Sequence, residues 1–167
     1  MNQELIWPFV YFSRMRILAK HKRAHLDYDI QQTYDAGIVL QWHEVKACKM
    51  DHCNITDALI RFDEKTRQLM VVNMDIPLYS KTQHSLVPWY IPKHPRVLLL
   101  KIREITKIVA STKKTGLMIV PIQLYEAGNR RIKLQFWLGK TRRNIEKKQI
   151  LKEKDQERQM RKEIKEY

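Results

Sequence analysis

Glycine is scarce in this 167-residue chain, with four in all, and cysteine scarcer still, with two. Few glycines leave few places where backbone can close tightly round a ligand phosphate. The sequence holds no G-x-x-x-x-G-K, no G-x-S-x-G, and no H-x-E paired with P-C-x-x-C. Nucleotidase, serine hydrolase and deaminase templates therefore fail. Cys48 and Cys53 make no C-x-x-C pair, which excludes a disulfide framework and points to reduced thiols in a cytoplasmic protein. His43, Glu44, Cys48, His52 and Cys53 form the only cluster of metal-ligand residue types. Adjacent His52 and Cys53 seldom converge on one ion, so neither a metal nor any other cofactor is expected. Apolar runs are short as well. Leu5 to Phe12 is interrupted by Pro8, far below the roughly 20 residues of a membrane span. It lacks the basic lead and cleavage site of a secretory signal.

What the chain has in excess is positive charge: 32 Lys and Arg against 18 Asp and Glu, a formal +14. Such a field attracts phosphate polymers, and nucleic acid is the first partner class it suggests. The flanks are densest, since residues 1–25 hold five basic residues and one acid, and residues 139–167 hold eleven and six. Hydrophobic residues make up 44%, enough for one domain with a true core plus an appendage.

Tyr28, Ile30, Gln32 and Tyr34 alternate with Asp29, Gln31, Thr33 and Asp35, the period of a half-buried strand. Asp35-Ala36-Gly37 then reads as a turn into a second strand at Ile38–Gln41. Glu44–Met50 reads as a short helix or turn, Ile55–Phe62 and Gln68–Met74 as strands, and the proline-rich 76–95 as a long surface connection. A helix is predicted from Pro95 to about Ala110, with Leu98, Ile102, Ile105 and Val109 on its core face and Gly116 as its stop. Leu117–Tyr125 and Arg130–Leu138 form a second hairpin, the latter strand burying Ile132, Leu134, Phe136 and Leu138. Six strands with turns between neighbours predict an antiparallel barrel. After Gly139, 17 of 29 residues are charged, so no core forms there. That tail is expected to be frayed alone and helical when bound to RNA.

Charge placement gives a first list of RNA contacts. Lys22 and Arg23 precede the first strand, and Arg131 and Lys133 share one face of the last. Tyr28 and Trp42 are aromatics that either stack on bases or fill the barrel. The carboxylates Asp27, Asp29, Asp35, Glu44 and Asp57 leave open a two-metal nuclease site, with solvated strand edges and turns as the plainer account.

The run KRAHLDYDIQQTYDAGIVLQWHEVK at 22–46, PRVLLLKIREI at 95–105, and Gly139-Lys140 resemble, in order, blocks of the SsrA-binding protein (small protein B) family of bacterial ribosome rescue. The likeness spans about residues 15 to 155. It implies a mainly β fold, a closed antiparallel OB-like β-barrel with added helices and a basic C-terminal tail. The division expected is an arm at 1–20, of which residues 1–14 are either an upstream extension from a misassigned start or a short arm peculiar to this protein, a barrel at 21–138 and a tail at 139–167. The implied function is a non-enzymatic adaptor that binds the tRNA-like domain of transfer-messenger RNA and delivers it to stalled ribosomes. Alternatives are a generic ribosomal or single-stranded RNA-binding barrel and, from the enzyme class, a metal-dependent nuclease.

Family blocks place further residues. Asp35 stands where the family has the acidic residue needed for RNA binding, usually Glu; the alternative is that it only favours a turn. Glu44 and Lys46 fall in a second block, although Trp42 stands where members usually have Gly. Asn54 keeps the family's Asn ahead of the third strand. Lys140 matches the family's Gly-Lys-Lys, and Lys147, Lys148, Lys152 and Lys154 match the tail implied to lie in the decoding region and empty messenger channel of the ribosome. Alanyl-tRNA synthetase and the tRNA-delivering elongation factor are partners implied by the family alone.

Overall fold

The computed structural model describes residues 15–166; most of the 1–20 arm expected from the sequence lies outside the described residues. Seven strands run β1 (Arg16–Lys20), β2 (Tyr28–Ile38), β3 (Leu59–Asp63), β4 (Gln68–Val72), β5 (Arg96–Leu99), β6 (Met118–Glu126) and β7 (Ile132–Thr141). Four helices join them: α1 (Ala24–Asp27), α2 (Trp42–Lys49), α3 (Ile102–Thr115) and α4 (Asn144–Glu166). Every strand pair is antiparallel, in the order β1-β6-β7-β2-β5-β4-β3.

The sheet curls until β3 comes alongside β6, but no ladder joins them. The expectation of a closed barrel is thus corrected to a curled, open sheet. β1 covers the outer edge of β6 only over Gln123–Glu126; the rest of that edge, Met118–Pro121, faces Thr56–Leu59 across a cleft, and Pro121 has no N–H to donate to a ladder there. Strand β1 falls within the 1–20 arm that the sequence predicts. Leu18 of β1 is buried in the core, which ties it to the body.

Clean alternation puts Ile132, Leu134, Phe136 and Leu138 of β7 into the main core with Leu69, Val71, Met74, Ile76, Leu98 and Leu124. Trp137, facing the other way, is covered by α1 in a second cluster with Ala24, Val120 and Ile122. Burying each large apolar side chain contributes on the order of 1.5–3 kcal/mol, so this two-sided β7 is the spine of the body.

Two local expectations give way to pairing. Asp35-Ala36-Gly37 is no turn, because β2 runs straight through it on an unbroken ladder with β7. Gly37 serves instead to let β5 approach, since a Cβ there would lie 3.3 Å from that of Leu99. Arg96–Leu99 is a strand and not the start of a helix; Leu98 is buried opposite Ile38. Helix α3 begins later, where the Glu104 carboxylate accepts the Lys101 N–H at 2.9 Å, and it buries Ile105 and Ile108. It ends at Gly116, whose φ of 65° favours glycine.

Gly139 and Lys140 belong to β7, with Gly139 between Ile30 and Met118. The tail from Asn144 to Glu166 is helix α4. None of the described helices is long and apolar enough to cross a membrane.

Candidate nucleic-acid interface

Strand register assembles a polar strip on three strands. Asp35 of β2 lies opposite Gln135 of β7, which lies opposite Gln123 of β6. In the next row, Gly37, Lys133 and Tyr125 stand side by side. Hydrogen bonds fix the strip: Asp35 Oδ1 accepts from Tyr125 Oη at 3.0 Å and from Gln135 Nε2 at 3.3 Å, and Gln123 Nε2 donates to Gln135 at 3.0 Å. Burial and the Asp35 carboxylate push the Tyr125 phenol up to about 12, so it stays a donor at neutral pH. Asp35 is exposed, and its remaining lone pairs can accept from a ribose 2′-hydroxyl or a base amine.

The strip runs into a groove of about 400 Å³ floored by Ile38, Leu40 and Val45 and rimmed by Arg130, Arg131 and Lys133. An anionic backbone lying in this groove meets three cations from one strand end and the turn before it. The structure therefore brings Asp35, Arg131 and Lys133 together, as one polar and cationic face.

A second basic cluster lies at the opposite end of β2. Lys22 and Arg23 are exposed in the turn leading to α1, and Lys140 is exposed opposite Asp29. Tyr28 at this end is half-buried against the Trp137 cluster, which supports its core reading over stacking on a base. Arg142 ties the end of β7 to α1: its N–H donates to the Asp27 carbonyl at 2.9 Å and its guanidinium reaches the His25 carbonyl and Asp29, both at 3.3 Å. Lys147 of α4 pairs with Asp27 at 3.0 Å. Lys148, Lys152 and Lys154 are exposed along α4.

Glu44 is elsewhere. Its carboxylate is wholly buried, accepting from Arg96 Nε at 2.8 Å and Nη2 at 2.6 Å, while Oε2 accepts the Gln41 N–H at 2.8 Å and so caps α2. Arg96, equally buried, also donates to the carbonyls of Met74 (2.7 Å), Pro92 (2.8 Å) and His94 (3.1 Å). Both ends of the proline-rich connection are thereby pinned to α2. The expectation of an RNA contact from Glu44 is corrected: with every oxygen turned inward it has no surface to offer. Asn54 likewise spends its side-chain oxygen locally, accepting the Thr56 N–H at 2.9 Å beside a backbone bridge to Asp75. Lys46 is exposed on α2, next to the Val45 of the groove floor.

The acids weighed as a nuclease site are dispersed. Asp27 pairs with Lys147, Asp29 with Arg142, Asp35 with Tyr125 and Glu44 with Arg96, while Asp57 is exposed ahead of β3. Among the described residues no three His, Cys, Asp or Glu side chains are placed to hold a metal ion. A hydrogen bond with Cys53 and burial push the Cys48 thiol up, consistent with an inert packing role.

Reading the sequence alone missed Gln123, Gln135, Tyr125, Arg130 and Arg142. The alternation of β7 did carry a signal for Gln135, which shares the face of Lys133; the Tyr125–Asp35 contact spans 90 residues and carried none.

Comparison with known proteins agrees with this architecture. The family model described as SmpB protein matches residues 18–166. The chain is 36% identical to the SsrA-binding protein of Coprothermobacter proteolyticus over 149 residues, covering 89% of this chain and 97% of the relative. It is 33% identical to that of Fervidobacterium nodosum, covering 92% and 97%. A solved structure described as "tmRNA-SmpB: a journey to the center of the bacterial ribosome" is similar with a TM-score of 0.60 at 28% identity, covering 79% of this chain and 92% of that one. With the match running from β1 into α4, this chain belongs to the SmpB family.

Proposed function

We propose that the chain is a non-enzymatic, cytoplasmic RNA-binding adaptor that holds the tRNA-like domain of transfer-messenger RNA and brings it to stalled ribosomes for trans-translation. The observation that carries this reading is the family match along almost the whole chain, from the first strand of the body through the basic tail. The geometry supports it: a curled antiparallel body presents an acid flanked by hydrogen-bond donors and bordered by Arg130, Arg131 and Lys133. Structured RNA is recognised through phosphates, 2′-hydroxyls and exposed base edges, and this strip offers partners for all three.

Within this reading the body, with Lys22, Arg23, Asp35, Arg131, Lys133 and Lys140, grips the RNA. The tail, with Lys147, Lys148, Lys152 and Lys154, enters the decoding region and the vacant messenger channel as a helix. A channel walled by RNA and empty of messenger is strongly negative, and a lysine-rich helix is drawn into it. Alanyl-tRNA synthetase and the tRNA-delivering elongation factor enter as further partners of the same complex.

The test is a chain ending at Arg143. It should bind the isolated tRNA-like domain within about threefold of the full chain, since the body contacts remain, and should fail to support tagging on stalled ribosomes. Equal loss of both activities would refute the division of labour.

A further inference from the structure

Among the described residues, two tryptophans are left largely in water. Trp42, in the first turn of α2, is 57% exposed, and Trp89, on the connection that packs against that turn, is 70% exposed. Leu86 and Ile91 of the same connection are also open. The link between helix and loop is aromatic: the His43 ring meets Trp42 edge-on at 5.5 Å and Tyr90 edge-on at 4.6 Å. His43 is held by donating from Nε2 to the Gln41 side-chain carbonyl at 2.6 Å, and Tyr90 by its contacts with Glu44 and the Ile76 carbonyl. The platform under Trp42 is therefore rigid.

A cation sits inside this patch. Lys46, one helical turn beyond Trp42, places its ammonium 5.1 Å from the Trp42 ring centre and 5.6 Å from that of Tyr79. Two rings hold the amine by cation–π attraction, which fixes a flexible side chain without neutralising its charge. An apolar protein partner gains nothing from a fixed positive charge in the middle of the contact, whereas a nucleotide offers both a flat base and a phosphate. The patch is also continuous with the candidate RNA surface, because Val45, beside Lys46, floors the groove rimmed by Arg130, Arg131 and Lys133.

We infer that Trp42, Lys46 and Tyr79 form a nucleotide clip that takes one unpaired residue of the bound RNA, its base stacked on the open indole face and its phosphate on the Lys46 ammonium. This rests on the reading of the chain as an RNA-binding adaptor and adds a contact that neither Asp35 nor the basic groove supplies. Stacking on an aromatic side chain is tolerant of base identity, so the clip selects an unpaired nucleotide at a fixed place and not a sequence.

The experiment uses the full chain and a transcript of the tRNA-like domain carrying 2-aminopurine at each unpaired position in turn. Binding should quench one probe position strongly. Trp42→Leu keeps an apolar side chain and removes the ring; it should abolish that quench and weaken affinity by about tenfold, while Trp42→Phe retains most of both. Tyr79→Leu should weaken binding without abolishing the quench. Lys46→Met should keep the quench and reduce the slope of log affinity against log salt by about 0.7, the loss of one phosphate contact. Quenching and affinity unchanged in Trp42→Leu would overturn the clip while leaving the adaptor reading intact; a protein partner covering the patch would give that result. Failure of the wild-type chain to bind the transcript at all would overturn both.

Discussion

Replacing Glu44 with Gln keeps the shape of the side chain and removes the charge that the buried Arg96 guanidinium faces.

 The carboxylate accepts from Arg96 Nε and Nη2 in a site from which water is excluded, both side chains being fully buried. A neutral amide there leaves the guanidinium charge uncompensated and turns an N–H₂ toward a donor. Breaking a buried pair at one end costs about 3–5 kcal/mol. For a chain of this size each kcal/mol moves the midpoint by about 2–4 °C, so the variant should melt about 6–20 °C lower. Urea unfolding followed by far-UV circular dichroism reads the free energy directly. The double variant Glu44→Leu with Arg96→Met, which removes both charges, should recover much of the loss. Affinity for the tRNA-like domain, measured below the transition of the single variant, should stay within about twofold, because no Glu44 oxygen reaches the surface. A loss of less than about 1 kcal/mol would refute the buried-pair argument, and a tenfold loss of affinity at unchanged stability would restore Glu44 as an RNA contact.

Other perturbations test other parts of the structure. Asp35→Asn removes the charge beside Tyr125, so the phenol should titrate below the value of about 12 it has in the native chain, as read by ultraviolet absorbance. The same raised phenol contributes stability that is complete below its ordinary value of 10.0 and is lost as pH rises toward about 12, which alkaline unfolding curves should show. Gly139→Ala would set a Cβ 2.6 Å from the Asp29 carbonyl oxygen, and the strain should lower stability by about 1–3 kcal/mol, measured by urea unfolding. Asp27→Asn removes the partner of Lys147; hydrogen exchange in the first turn of α4 should quicken while global stability changes by less than about 1 kcal/mol, as for a part-exposed pair.

Strand β7 was legible in the sequence because Ile132, Leu134, Phe136 and Leu138 alternate with Lys133, Gln135 and Trp137, and β6 because a long apolar run precedes the turn that leads into β7. Strand β5 was not, because Leu98 shares helical spacing with Ile102 and Ile105, and a four-residue apolar strand carries no period of its own. The turn read at Asp35-Ala36-Gly37 failed because local preference is weaker than the continuous ladder that β7 supplies from Gln32 to Gly37. The open seam between β3 and the Met118–Pro121 edge of β6 was not legible, because pairing between segments so far apart in the chain leaves no local pattern. At the candidate site, the shared face of Arg131 and Lys133 followed from alternation alone. The burial of Glu44 did not, since its partner Arg96 lies 52 residues away and nothing local distinguishes an inward carboxylate from a solvated one.

The central claim is that this basic body recognises a folded, tRNA-like RNA and does not merely attract phosphate. Competition at physiological salt between the tRNA-like domain of transfer-messenger RNA and a single strand of equal length tests it most directly. The account predicts preference for the folded domain by at least about a hundredfold, retained as salt rises, because strip contacts outlast screened charge. Equal affinity for the two RNAs, falling in parallel with salt, would contradict it.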